Sequence, residues 1–400
     1  MYNIPHATAR LLFTGWITVV VFGSGARCAG EAGTTEAAPT AVDGGPAPEA
    51  PHSELEVPPA PAQFAWRGMT FAHEGYDGVR GYGGSATGAS LDSLARLGVD
   101  AIAVVPYTGM RSASTVSALP VPERRGAETD ASVVATVAQA HARGWRVLLK
   151  PQIWVRGAWP GEIDFATAAE WDGFLGHYRT WMLHYARLAA EHDVEALCIG
   201  TELTRATLEH PGFWRKLIRE VRAVYPGTVT YAANWGEEFE NIAFWGELDA
   251  LGLNGYYPLS RKPDPTQAEL DAGAREWVQM AEATSERAGK PWWLTEIGYR
   301  SVEGAWANPH AEPDGRAASA EAQARCYAAL FRAAAETERL EGVFFWKWPS
   351  YLGWGQGAQV GVPEKWRTDP LKEFHPNAPV TADLVRAFYG SAPTATAPSE

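Results

Sequence analysis

The sequence predicts an α/β fold, a single (β/α)8 TIM barrel, on three observations. Eight apolar, strand-like runs follow one another after residue 63, with helical patterns filling most gaps between them. No linker-like stretch interrupts the region from 63 to 390. Several of the runs are near-continuous rather than alternating, as expected of parallel strands covered on both faces.

The segment before the barrel reads differently. Residues 1–28 predict an export signal: His6 and Arg10 precede an apolar run from Leu11 to Phe22, which is short for a bilayer span, and Ser24-Gly25-Ala26 offers a small-x-small cleavage site. Cys28 raises a lipoprotein alternative, which Arg27 just before it fits poorly. Residues 29–62 are rich in Ala, Pro, Glu, Gly and Thr and bury too little apolar surface to offset ordering, so a disordered linker is expected. Residues 391–400 read as a flexible tail. The expected protein is secreted or periplasmic, and monomeric.

The strands are expected at Trp66–Ala72, Val99–Tyr107, Arg146–Trp154, Glu195–Leu203, Thr228–Trp235, Leu248–Tyr257, Pro291–Tyr299 and Gly342–Pro349. Between them, Asp164–His192 carries Trp171, Phe174, Leu175, Tyr178, Trp181, Met182, Tyr185 and Leu188 at three- and four-residue steps, one apolar helical stripe. Further helices are expected at Leu91–Leu97, Ala131–Arg143, Phe213–Val224, Glu269–Ala288 and Ala317–Glu336. A short one fits within 236–247, and Thr381–Tyr389 closes the domain. A doubly wound sheet is the alternative. Its glycine-rich turn would have to be Gly81-Tyr82-Gly83-Gly84-Ser85-Ala86, which lies well past the first strand and reads instead as a top-face loop.

Charge narrows the partners. The formal net charge is −13, and residues 1–62 hold two basic against six acidic residues, leaving −9 on the rest. An acidic domain argues against nucleic acid or an anionic membrane surface. Cys198 and Cys326 are expected as buried free thiols. The scattered histidines contain no H-E-x-x-H, so no metal or other cofactor is expected, and the absence of G-x-S-x-G argues against a serine esterase.

Barrel chemistry collects at the C-terminal ends of the strands. Two glutamates stand there, Glu202 closing strand four and Glu296 closing strand seven. A carboxylate ending a buried strand is costly unless paired or working. Two facing one cleft suit glycosidic cleavage, with a spacing of about 5–5.5 Å for retention or about 6.5–9.5 Å for inversion. Other strand ends supply His73, Lys150, Trp154, Asn234, Trp235, Tyr256, Trp346 and Trp348 as candidate substrate-binding residues. Flat indole faces suit the C–H faces of pyranose rings. Trp159, Trp306 and Trp354 in the loops are candidates to extend the groove. Strict alternation groups Cys198 and Gly200 with Glu202, Trp292 and Leu294 with Glu296, Lys150 with Gln152 and Trp154, and Asn254 with Tyr256. If the glutamates face the axis, Gly200 leaves room beside Glu202.

Six segments, taken in order, resemble glycoside hydrolase family 113 of clan A: Gly68-Met69-Thr70-Phe71, Lys150-Pro151, Ile199-Gly200-Thr201-Glu202-Leu203, Asn254-Gly255-Tyr256-Tyr257-Pro258, Thr295-Glu296-Ile297-Gly298-Tyr299 and Phe345-Trp346-Lys347-Trp348. The resemblance implies a retaining β-1,4-mannanase acting on mannan or glucomannan, with Glu202 as acid/base and Glu296 as nucleophile. It further implies Tyr256 bonding the nucleophile and Trp346 flooring the sugar at the cleavage point. Many clan members carry Asn before the first glutamate, touching the sugar 2-hydroxyl. Here Thr201 stands in that place, so the contact is expected from Asn234, Lys150 or His73. The alternatives are a clan A hydrolase acting on xylan or β-glucan, and a non-catalytic carbohydrate-binding barrel.

Overall fold

The computed structural model describes residues 55–311, 315–352, 372–376 and 378–390. The expected export signal with Cys28, the linker up to residue 54, Trp354 and the expected tail lie outside the described residues. Residues 55–62 do not continue the expected linker: Leu55, Val57 and Ala60 pack on the core, and the Ala60 N–H donates to Phe388 O at 2.8 Å.

Ten strands and nine α-helices follow in chain order among the described residues: β1 Trp66–Ala72, α1 Thr87–Ala95, β2 Ala101–Val104, β3 Tyr107–Met110, α2 Asp130–His141, β4 Arg146–Leu149, β5 Gln152–Val155, α3 Ala168–Glu191, β6 Ala196–Thr201, α4 Thr204–Glu209, α5 Pro211–Arg222, β7 Thr228–Asn234, α6 Glu237–Asn241, β8 Ala250–Asn254, α7 Gln267–Ala288, β9 Trp292–Ile297, α8 Ala320–Ala335, β10 Leu340–Pro349 and α9 Pro379–Tyr389. Eight strands close a barrel in the order β1-β10-β9-β8-β7-β6-β4-β2, every neighbouring pair parallel. This is the predicted (β/α)8 barrel.

The expected second and third strands are each broken in two. Pro106 and Pro151 lack the N–H a ladder needs, so each interrupts its strand. Beyond the breaks, β3 and β5 pair as a separate two-stranded sheet, Tyr107 opposite Gln152. Helix α1 starts directly after Ala86, so the glycine-rich loop does run into a helix, against the expectation. Its turn closes on itself through Gly84 N–H to Gly81 O and Ala86 N–H to Val79 O.

Long helices form where caps and stripes agree. Both α3 and α7 begin with capping boxes, Thr167 with Glu170 and Thr266 with Glu269, which satisfy otherwise orphaned N–H groups. Their apolar stripes cover the outer faces of the strands. A second, smaller cluster draws on all eight barrel strands and no helix: Trp66, Ala101, Ala103, Leu148, Ala196, Cys198, Ala232, Ala250, Trp293 and Phe344, with Val105 just beyond β2. That makes it the barrel axis. Trp66 and Trp293 lie 4.9 Å apart between ring centroids and fill it from one side. Small residues on β2, β6, β7 and β8 leave them that space. Cys198 and Cys326 are buried and unpaired.

Two bulges change which residues face the axis. On β6, Cys198 pairs with Thr230 but Thr201 pairs with Ala232, so one extra residue sits on β6. On β9, Leu294 pairs with Leu253 but Glu296 pairs with Asn254, which makes Thr295 the extra residue. The strict alternation expected from sequence therefore fails on both strands. Gly200 faces the helical layer, where a Cβ would lie 2.6 Å from Tyr231, 2.8 Å from the Tyr178 hydroxyl and 2.9 Å from Trp214. It leaves no room beside Glu202. Trp292 and Leu294 likewise face the helices, while Trp293 faces the axis.

Candidate active site

The two bulges bring both glutamates to the C-terminal mouth of the barrel. Glu296 is 6% exposed. Its Oε1 accepts from Lys150 Nζ at 2.5 Å and Gln152 Nε2 at 2.9 Å, and its Oε2 accepts from the Tyr256 hydroxyl at 3.3 Å. All three neighbours donate, so this carboxyl is met as an acceptor on both oxygens. Lys150 has no solvent exposure, and Nζ also donates to Thr295 O at 3.2 Å and Asn254 Oδ1 at 3.5 Å.

Glu202 is held differently. Its Oε1 accepts from Asn254 Nδ2 at 2.9 Å and its Oε2 from Trp159 Nε1 at 2.5 Å, both neutral donors. Burial pushes its carboxyl up, as does the charge of Glu296, against the two hydrogen bonds and Lys150, which pull it down. Asn254 thus joins the two halves: its amide nitrogen donates to Glu202, and its oxygen accepts from Thr295 Oγ1 at 3.0 Å and faces Lys150.

Glu202 has φ +52°, left-handed backbone that a glutamate seldom adopts. Hydrogen bonds on either side fix it there. The Glu202 N–H donates to Ala232 O at 2.8 Å, and the Leu203 N–H donates to the Tyr231 hydroxyl at 2.7 Å. Trp159, which the sequence places in a loop as a candidate to extend the groove, reaches Glu202 itself, helped by a glycine in the following turn. A Cβ on Gly161 would lie 2.1 Å from its ring, so the indole rests on bare backbone.

The remaining candidates divide. Trp154 shares the face of Gln152 on β5, half-buried and without a hydrogen bond or ring partner among the described residues. Asn234 ends β7 in register with Asn254, its side chain making no hydrogen bond among the described residues. Trp235 packs edge-on against Tyr257 at 5.2 Å. Trp346 is half-buried on β10, joined to Lys347 by a cis peptide bond, and Lys347 pairs with Glu74 at 2.8 Å.

Two candidates are turned away. His73 uses both ring nitrogens within the protein, Nδ1 accepting from the Tyr82 N–H at 3.0 Å and Nε2 bonding Gly126 O at 3.1 Å. Burial lowers it to about 4, so it is a neutral loop anchor with no nitrogen left for a sugar. Trp348 is 5% exposed and gives its N–H to Ser90 Oγ at 3.0 Å, under α1 rather than in the cleft. Trp306 is likewise buried, donating to Lys262 O. Thr201 lies on the axial side, opposite Ala232.

Sequence reading passes over two further residues as site members. Gln152 enters it only by sharing a strand face with Lys150, and Asn254 only by sharing one with Tyr256 and by opening the segment Asn254-Gly255-Tyr256-Tyr257-Pro258. Apart from these, Glu128 is 5% exposed, and burial raises it to about 7 against a hydrogen bond from its own backbone N–H. Among the described residues no cluster of His, Cys, Asp and Glu could hold a metal ion. A groove of ≈ 440 Å³ between α3 and α5 contains none of the site residues.

The family model of Glycoside Hydrolase Family 113 matches residues 69–360. The chain belongs to glycoside hydrolase family 113. As a family 113 glycoside hydrolase it can be set beside solved members. A GH113 β-mannanase from Alicyclobacillus acidocaldarius, in complex with ManMIm, is 28% identical with a TM-score of 0.69, over 81% of this chain and 97% of that one. Two structures of GH113 β-1,4-mannanase, 22% and 24% identical, share the fold with TM-scores of 0.69, over 82% of this chain and 99% of each. No curated protein matches the chain.

Proposed function

We propose that this family 113 hydrolase is a secreted, retaining endo-β-1,4-mannanase, with Glu202 as acid/base and Glu296 as nucleophile. The observation that carries the roles is the difference between the two carboxyl sites. Glu296 meets an ammonium, an amide and a phenol, all donating. Glu202 meets two neutral donors and is pushed toward its protonated form by burial and by Glu296.

In the first step the Glu296 carboxylate attacks the anomeric carbon as the Glu202 proton passes to the glycosidic oxygen. The bond to the leaving sugar breaks, and a glycosyl ester of Glu296 forms. In the second step the Glu202 carboxylate takes a proton from water. The water oxygen bonds the anomeric carbon and releases Glu296, so both groups return to their starting states. In this reading Trp346 floors the sugar at the cleavage point, and Trp154 and Trp235 are further indole faces for the glycan. Mannan as substrate rests on family membership and on the β-mannanase at 28% identity.

A panel of mannan, glucomannan, xylan and cellulose tests the substrate. Release of sugar from mannan or glucomannan is expected. Turnover confined to xylan or cellulose overturns the specificity, and no release from any points to a carbohydrate-binding barrel. Glu296→Ala should be inactive and partly restored by azide, which takes the nucleophile's place. Near-normal turnover by that variant would sink the role given to Glu296.

A further inference from the structure

Glu238 is a buried carboxyl with no part in the two steps above. It sits on α6 at 1% exposure. Its Oε1 accepts from the Tyr231 hydroxyl at 2.7 Å and from Thr207 Oγ1 at 2.9 Å. Its Oε2 accepts from the Asn234 N–H at 2.7 Å and from Thr204 Oγ1 at 3.1 Å. One side chain therefore ties the end of β7 to the first turn of α4, the helix that begins two residues after Glu202.

The connection to Glu202 runs through Tyr231. A phenol has one proton. Tyr231 gives its proton to Glu238, so toward the Leu203 N–H its oxygen accepts. That N–H belongs to the peptide group leaving Glu202, while the group entering Glu202 is held by Ala232 O. Consecutive residues of β7 thus grip both sides of a glutamate in left-handed backbone. Such a conformation persists only where its surroundings over-determine it.

We infer that Glu238 is a positioning residue for Glu202, acting through Tyr231 to fix the peptide group behind the acid/base carboxyl. This rests on the acid/base role proposed for Glu202. A carboxylate suits the place better than an amide, because the Tyr231 and Thr204 hydroxyls and the Asn234 N–H all donate to it, while the Thr207 hydroxyl shares its one proton between Oε1 and Thr204 O at 2.9 Å, so a glutamine NH2 would face a donor. The charged or titratable groups facing Glu202 are Glu296 from β9, Lys150 from the end of β4, Tyr256 after β8 and Glu238 from α6. Burial raises Glu238 to about 7, its hydrogen bonds oppose that, and Glu202 adds to it.

Two variants and two substrates test this. Tyr231→Phe deletes one oxygen and keeps the ring, so it preserves the packing against Trp214 and Phe244. Glu238→Gln keeps the shape and removes the charge. With a mannooligosaccharide, whose leaving group must be protonated, each variant should lose about 10–100-fold in kcat with KM within about 2-fold. With 2,4-dinitrophenyl β-mannobioside, whose leaving group departs without a proton, the formation of the glycosyl enzyme should fall less than about 3-fold.

Equal loss on both substrates means a structural role and overturns the inference, as does no loss at all. Glu202→Gln is the control. If it keeps full activity on the oligosaccharide, the acid/base reading itself fails. If it is inactive there while both other variants behave as wild type, only the positioning role fails.

Discussion

Lys150 and Glu296 form an ion pair in which the lysine has no exposed surface, with Nζ 2.5 Å from Oε1. Removing one member of a buried pair leaves the other charge uncompensated, at a cost of about 3–5 kcal/mol. Lys150→Met should therefore unfold at lower denaturant concentration and lose at least about 100-fold in kcat. Lys150→Arg should not restore activity, because the guanidinium is larger and the site is closed. Chemical denaturation together with kcat decides it. Normal stability in Lys150→Met would mean the pair is not needed to hold Glu296.

Trp159 donates to Glu202 and thereby favours its ionised form. Trp159→Phe keeps most of the ring and deletes the N–H. The basic limb of the pH–rate profile should move to higher pH. An unmoved limb would place the indole away from the carboxyl during catalysis.

Gly200 is enclosed by Tyr231, Tyr178 and Trp214 at distances no real Cβ tolerates. Gly200→Ala should cost about 1–3 kcal/mol through overpacking. Because the bulge that aims Glu202 begins here, activity should fall further than stability. A thermal melt beside kcat separates the two, and an alanine accepted without loss of either would contradict the crowding.

Glu128 links stability to pH. Burial raises it from its ordinary 4.5 to about 7. Its contribution to stability is then fully present below about 4.5 and is lost as pH rises through about 7. Glu128→Gln should match the wild type at low pH and exceed it at pH ~8 by about 1–3 kcal/mol. Melting curves at the two pH values check this, and a gain of the same size at both would show that ionisation is not the cause.

Much of the fold was legible because barrel strands are apolar on both sides and their helices carry clear stripes. The run 66–72 is β1 without adjustment, and the α3 stripe is buried as its spacing implies. The places that resisted reading are places where backbone departs from its period. Pro106 and Pro151 split two strands visibly in the sequence, yet nothing there says that the far halves pair with each other. Indole rings illustrate the same limit. Trp159, Trp306 and Trp348 look alike as letters, but one bonds Glu202, one bonds Lys262 and one bonds Ser90.

The sequence by itself determined the eight-strand barrel and put Glu202 and Glu296 at the ends of its fourth and seventh strands, since apolar period and strand order are local properties of the chain. Only the tertiary structure decided how those glutamates enter the cleft and what they meet. A single extra residue on β6 and another on β9 exchange the faces that alternation assigns, because a strand has a side-chain period of two and each bulge shifts it by one. The partners that distinguish the two carboxyls, Lys150, Gln152 and Tyr256 for one and Trp159 and Asn254 for the other, come from β4, β5, β8 and the loops that follow them. Closing the barrel is what brings them together.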